Sequence, residues 1–387
     1  MNELAPGVSA LELQSLERDE RNAYFPFTCN NVPEQLLWDN RTLSIYCSEG
    51  VASDPAQLAA AFCIAMAPLA WTYGTSLSLP FPILARVAHS LRSLGTYLAA
   101  HYGWTVSDVT EGLRASRDGR PRGLHRGLLF SGGVDSTAAM IALVGRVDWL
   151  IHVSNFENLE SRISAEVLAD ELRSTRAVAE SRGLGWMHLR TNLPAVFKHN
   201  RFDGYFPPDC TFWLGLEHVQ HLATALAVMR PRLARVYLAG GFSELLRRIG
   251  SCAASSAFVN RYAVPMPVSI VDEHTSRQRK VERIIDRDRD LLSTLRVCYS
   301  SGQRACPDCL KCQATTLMIL SAGGGIDETP FPPVILDRLA ERIEVLSRIG
   351  PEGHAFFNEA LTGRMLKGSR ERRWRDLRSI VNEQRGT

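Results

Sequence analysis

The stretch Gly127-Leu-Leu-Phe-Ser-Gly-Gly-Val-Asp-Ser-Thr137 holds the residue types that bind an anion. A short apolar strand runs into two adjacent glycines and then into a helix pattern. Gly132 and Gly133 let the backbone approach a ligand closely, Ser131 and Ser136 offer hydroxyls, and the first amides of the next helix point at whatever fills the turn. A phosphate group suits such a nest. The loop matches neither G-x-x-x-x-G-K-[ST] nor G-x-G-x-x-G, so kinase-like and nicotinamide-type readings have no support. A second stretch spaces Cys298, Cys306, Cys309 and Cys312 as C-x7-C-x2-C-x2-C. Two x2 steps bend the backbone around a metal and Cys298 completes a tetrahedral shell, for which zinc is preferred over an iron–sulfur cluster. Four thiolates leave no open position for water, so the expected role is structural.

These residues need elements to position them. The pattern after residue 120 alternates: strands are expected at 127–130, 149–153, 186–189 and 235–239, and helices at 136–144, 164–182 and 217–229. Strand, helix, strand in repetition implies an α/β fold with a doubly wound parallel sheet. The Arg-, Gly- and Pro-rich run Ser116 to Leu124 reads as a linker. Ahead of it, a strand near 42–46, an apolar stretch 58–71 and an amphipathic helix near 83–101 make a small mixed accessory domain. The expected organisation is residues 1–120 as that domain, 121–270 as the sheet core and 271–387 as a zinc-bound helical cap.

Composition bounds the rest. The 387 residues are 45% hydrophobic and 22% charged, with a formal net charge of +3, which excludes a disordered, collagenous or nucleic-acid-coating chain. No stretch approaches the roughly 20 apolar residues of a membrane helix, and the acidic start is unlike a signal peptide. A cytoplasmic protein is expected. Four of the nine cysteines fall between residues 298 and 312, which suits a metal in a reducing compartment better than a disulfide framework.

The run Ser-Gly-Gly-Val-Asp-Ser, residues 131–136, resembles the pyrophosphate loop of the N-type ATP pyrophosphatases. With Cys-x7-Cys-x2-Cys-x2-Cys downstream, the chain resembles the 7-cyano-7-deazaguanine synthases, although it carries about 120 residues ahead of the loop where that group begins near it, and a relative acting on another carbonyl is expected. The resemblance implies an adenine nucleotide alpha hydrolase-like core, with ATP, Mg²⁺ and Zn²⁺ as cofactors. It makes Ser131, Gly132, Gly133, Val134, Asp135 and Ser136 contacts to the pyrophosphate of ATP, with Asp135 and Ser136 catalytic and Asp135 a candidate Mg²⁺ ligand. It places an adenine pocket near Ser154 and Asn155. Gly240, Gly241 and Ser243 end a strand like the Gly-rich turn of NAD synthetases, and helix capping is their plain alternative. Lys280 and Arg277 could reach phosphates from the cap, or lie on a solvated helix face.

The implied reaction adenylates a carbonyl or carboxylate oxygen of a small molecule, plausibly a purine or deazapurine, and releases pyrophosphate. Ammonia displaces AMP to give an amide or nitrile; a sulfur donor giving a thione is the alternative, with Cys210 and Cys252 as candidate persulfide carriers and buried inert thiols as their bland reading. A non-catalytic nucleotide-binding module is the reading from another class. Residue 2 is Asn, so a glutaminase domain with its cysteine after Met1 is not expected. His188, His199 and His218 lack metal-like spacing and read as structural or surface residues. Residues 364–387 carry eight basic against three acidic side chains; RNA contact is admissible, but a solvated or cap-packing helix is preferred. A homodimer is compatible with all of this.

Overall fold

A computed structural model of the chain describes residues 10–30, 36–104, 113–116, 123–154, 164–206, 211–212, 216–229, 233–241, 267–298, 304–348 and 355–386, with residues 32 and 109. Asn155, Cys210, Ser243 and Cys252 lie outside them.

The strands expected after residue 120 are β8 (His125–Leu129), β9 (Trp149–Ser154), β10 (Gly185–Thr191) and β11 (Leu233–Ala239), followed by β12 (Val268–Val271). All pair in parallel, and counted from β8 they run 3-2-1-4-5 across the sheet. The order reverses between β8 and β11. Such a switch point opens a crevice at the carboxyl ends of its two strands. Leu128, Phe130 and Leu150 turn to one apolar core and Leu129 and Ile151 to the other, the period of two that a sheet buried on both faces requires. Helices Val134–Ala142 and Ala165–Ser181 lie on the first face, and helix His218–Ala227 on the opposite one.

The N-terminal segment continues this sheet. β4 (Thr42–Cys47) pairs antiparallel with β10, β3 (Asn22–Asn30) with β4, and β1 (Ala10–Leu13) with β3, while β5 (Ser76–Ser78) pairs in parallel with β1. The ten-stranded sheet is therefore mixed, with the five parallel strands making one end of it and the antiparallel strands continuing from β10. One apolar core runs from Leu11 to Val268, on both sides of residue 120.

Helix Pro55–Tyr73 lies in that core. It is long and apolar enough to cross a membrane, and 89% of its apolar window is buried inside the protein. The expectation that no stretch approaches that length is corrected: alanines at positions 59, 60, 61, 65, 67 and 70 make a helix buried all round. Pro68 sits in its interior and cannot donate to the carbonyl four residues back. Gln220, on the facing helix, answers this: its Nε2 donates to Ile64 O at 3.2 Å and also to Ala65 O. Gln57 returns the favour, donating from Nε2 to Ala227 O at 2.9 Å and Met229 O at 2.6 Å, where the other helix ends.

Beyond β12 the chain is helical. Helices Arg277–Arg287, Leu310–Ser321, Ile335–Arg348 and Arg370–Arg385 share the apolar core of the first face. The basic last helix buries Trp374, Leu377 and Val381 against its two neighbours, which agrees with the cap-packing reading.

Replacing Gln220 by Leu should cost about 1–3 kcal/mol, because two buried carbonyls lose their donor. In a Pro68→Ala background the restored amide serves Ile64, so the cost of Gln220→Leu should shrink. A double-mutant cycle by urea denaturation reads this directly, and simple additivity would refute the pairing.

Candidate anion site and cysteine cluster

Ser131, Gly132 and Gly133 link β8 to helix Val134–Ala142 at the switch point. Gly132 has φ +77°, a left-handed conformation that a side chain rarely adopts. Its carbonyl accepts from the Arg296 amide at 2.9 Å, and the Arg296 side chain lies over its Cα. Gly133 is the N-cap, so no side chain caps this helix, whereas Asp54, Ser164, Ser276 and Ser369 each cap theirs. The first helical bond is Thr137 N to Gly133 O, which leaves the amides of Val134, Asp135 and Ser136 without intrahelical partners. Ser136 Oγ donates to Gly133 O at 3.1 Å and lies 3.4 Å from Ser131 Oγ. Ser131 is exposed, while Val134 and Ser136 are buried.

Two cations converge on Asp135 in the first turn of this helix. Lys280 Nζ lies 2.9 Å from Oδ1 and Arg277 Nη2 lies 2.7 Å from Oδ2. Lys280 is fully buried, and Arg277 is 8% exposed. Their i, i+3 spacing puts both on one face of the helix that starts at Arg277, where Ser276 Oγ accepts from the Arg279 amide. The solvated-face alternative for these two residues is thereby overturned. Burial opposes ionisation of Asp135, but Arg277 and Lys280 outweigh it and hold the carboxyl below its usual range. The sequence reading made Asp135 a candidate Mg²⁺ ligand; here both its oxygens face cationic side chains, a donor set that does not fit a divalent cation.

Gly240 and Gly241, at the end of β11, complete the cage with carbonyls. Gly240 O accepts from Lys280 Nζ, and Gly241 O from Arg277 Nη2 at 3.3 Å. A Cβ on Gly240 would come within 2.7 Å of Glu273 Cα, so glycine is needed there for backbone clearance. The pair holds the cations in place.

Beside the loop lies a buried polar group of which the sequence gave little sign. His152 Nδ1 is 3.1 Å from Phe130 O and its Nε2 is 3.3 Å from Glu171 Oε1. The Ser154 side chain is fully buried, with Oγ 2.8 Å from His188 Nε2. Burial, with the charges of His152 and Arg190 adding to it, pushes His188 down to about 4, so its ring is neutral at pH 7. Asp170 meets Arg296 at 2.6 Å and Arg304 at 3.1 Å. The only sequence signal was the shared parity of His152 and His188, which sit in register on β9 and β10. His218 is half-buried.

The four thiols of Cys298, Cys306, Cys309 and Cys312 lie within 4.8 Å of one another. A zinc tetrathiolate with bonds of about 2.3 Å has edges of about 3.8 Å, so the set fits. Backbone amides already face the sulfurs: Cys309 N to Cys306 Sγ at 3.4 Å, Cys312 N to Cys309 Sγ at 3.3 Å, and Cys306 N to Cys312 Sγ at 3.4 Å. Cys309 is the N-cap of helix Leu310–Ser321, whose dipole favours a thiolate. Contact with Cys298, ahead of burial, pushes the Cys309 thiol up to about 11, and Cys298 and Cys309 push Cys312 up as well. Four crowded thiols resist ionising together, and a divalent metal reverses this.

No known protein family's sequence profile matches the chain, and no curated protein matches it in sequence.

Two outcomes follow from this geometry. Asp135→Asn leaves a fully buried ammonium without its counter-charge and should cost about 3 kcal/mol. A depressed carboxyl contributes fully above its ordinary value of 3.8, and the contribution is lost as pH falls through the lowered value. The stability gap between wild type and variant in urea should therefore hold from about pH 7 to 5 and close below about pH 4; a gap unchanged in acid would remove the ion pair. Cobalt added to the reduced, metal-free chain should give the absorption of a tetrahedral thiolate site, altered by Cys306→Ser. A spectrum of octahedral oxygen ligation would rule the cluster out.

Proposed function

We propose that the chain is an ATP-dependent synthetase of the N-type ATP pyrophosphatase kind, with an adenine nucleotide alpha hydrolase-like core and a structural zinc. It activates an oxygen of a small carbonyl or carboxylate compound, of the purine or deazapurine class, and then transfers that carbon to a nitrogen nucleophile. The observation that carries this reading is the fully buried Lys280, held with Arg277 against Asp135 beside a helix start that no side chain caps. The strand order 3-2-1-4-5 and the place of this helix at its switch point support it further.

In this reading the amides of Val134, Asp135 and Ser136 and the hydroxyls of Ser131 and Ser136 hold the β- and γ-phosphates of ATP. The substrate oxygen forms a bond to the α-phosphorus as the bond from that phosphorus to the pyrophosphate oxygen breaks. Lys280 and Arg277, paired with Asp135, bring positive potential toward the departing pyrophosphate and offset the charge that grows on it. Asp135 aims both cations. The two serines and the amides are fixed before substrate arrives, so little reorganisation is needed. A nitrogen nucleophile then bonds to the activated carbon and expels AMP.

The test is product analysis of ATP turnover with guanine or 7-carboxy-7-deazaguanine, each with ammonium or with sulfide. AMP and pyrophosphate formed with one pair support the reading and identify the nucleophile. Lys280→Ala should lower AMP formation at least about 100-fold, in line with the loss of one transition-state donor. ADP as the product, or full activity in that variant, would overturn it. ATP binding with no turnover under any pair would favour a binding module.

A further inference from the structure

The segment that carries the cysteine cluster also touches the phosphate loop. Arg296 lies two residues before Cys298, and its amide donates to Gly132 O at 2.9 Å. The Cβ, Cγ and Cδ atoms of Arg296 lie 3.6–3.7 Å from where a Gly132 Cβ would be, so the aliphatic stem covers the left-handed glycine. Its guanidinium, 7% exposed, meets Asp170 Oδ2 at 2.6 Å. Arg304, two residues before Cys306, meets the same carboxylate with Nη2 at 3.1 Å. Arg304 O in turn accepts from Val297 N at 3.0 Å and from Cys298 N at 3.3 Å. The two arginines are thus two arms of one metal-binding segment, closed on each other by backbone bonds. One arm reaches the glycine that shapes the loop, and both reach one carboxylate on helix Ala165–Ser181.

We infer that Arg296 is a positioning residue for the phosphate loop and that metal loading of the cysteine cluster is coupled through it to anion binding. The inference rests on the proposed phosphate site. The physical case is one of constraint. Without metal, Cys298 is joined to the cluster through its amide on Arg304 O and through contacts between thiols, while the N–H···S bonds run among Cys306, Cys309 and Cys312. Four metal–sulfur bonds fix the ends of the segment against each other, and with them the register of Arg296 and Arg304 on Asp170. A glycine with φ +77° has a broad choice of backbone conformations, and only its surroundings select this one. Arg296 supplies those surroundings from both sides, with an amide on the carbonyl and a methylene stem over the Cα. Loss of the metal frees the arm, and the amides of residues 133–136 lose the arrangement that receives an anion. Coupling of this kind is reciprocal, so a bound anion must tighten metal binding by the same factor.

The test uses the full chain, zinc-loaded and zinc-stripped under reductant. Hydrogen exchange is followed in peptides covering residues 130–136, with β3 as the internal control. Stripping should speed exchange in the loop by about tenfold and leave β3 unchanged, and pyrophosphate affinity should fall by a similar factor. Chelator competition should show zinc held about tenfold more tightly with pyrophosphate present. Arg296→Ala, with zinc still bound, should reproduce the faster loop exchange, while Arg338→Ala, on the cap surface, should not. That variant decides the matter even where the stripped chain unfolds. Loop exchange equal to wild type in zinc-loaded Arg296→Ala, or in a folded stripped chain, overturns the coupling. Zinc-loaded protein that binds neither pyrophosphate nor ATP defeats the phosphate-site reading instead, and the exchange data still decide whether Arg296 holds the loop.

Discussion

The carboxylate of Asp135 is where three parts of the chain meet. It belongs to the first turn after the glycine loop at residues 131–133, and it receives Lys280 and Arg277 from helix Arg277–Arg287. Those same two cations hold the carbonyls at the end of β11. A lysine with no exposed surface is stable as an ammonium only where a counter-charge and acceptors surround it. Loop, strand end and cap helix therefore cannot separate without stranding a charge. Helix Arg277–Arg287 is thus fastened to the loop and to the end of β11 by its own two cations.

The sheet explains why that meeting place exists. Strand order reverses between β8 and β11, the place where an open parallel sheet leaves a crevice at its carboxyl ends. Into the gap come a helix start capped by glycine and, from beyond β12, a helix carrying two cations on one face. The thiol cluster stands at one more helix start, that of Leu310–Ser321. One helix start is thus ringed by hydroxyls and cations and the other by sulfur.

How much of this was legible depends on whether the signal is local. The strand–glycine–helix pattern at residues 127–137 and the x2 spacing of the cysteines are local, and the structure has a strand, a turn and a helix at the first and clustered thiols at the second. The cage is not local. Nothing near Gly240 announces that the Glu273 backbone presses on it, or that its carbonyl holds Lys280. Asp135 looked like a metal ligand because its partners lie more than 140 positions away. Ser154 reads as a polar residue at a strand end, yet its hydroxyl turns inward to His188. The pairing of β4 with β10 was equally hidden: alternation in Thr42–Cys47 marks a strand but does not name its neighbour. Apolar counting marked 58–71 but fell short of the full helix Pro55–Tyr73, because Gln57 and Thr72 interrupt the run at its two ends.

The same long-range pairing has a consequence for synthesis. Ser44 waits for Asn192, 148 positions downstream, and Ile64 waits for Gln220, 156 positions downstream. At about 5–20 residues per second, ribosomes need roughly 7 to 30 s to deliver those partners. Through that interval a segment as apolar as a membrane span lacks its facing helix, and β4 lacks β10 at its edge. The mature protein buries 89% of that apolar window, and it can do so only once residues 192 and 220 have been made.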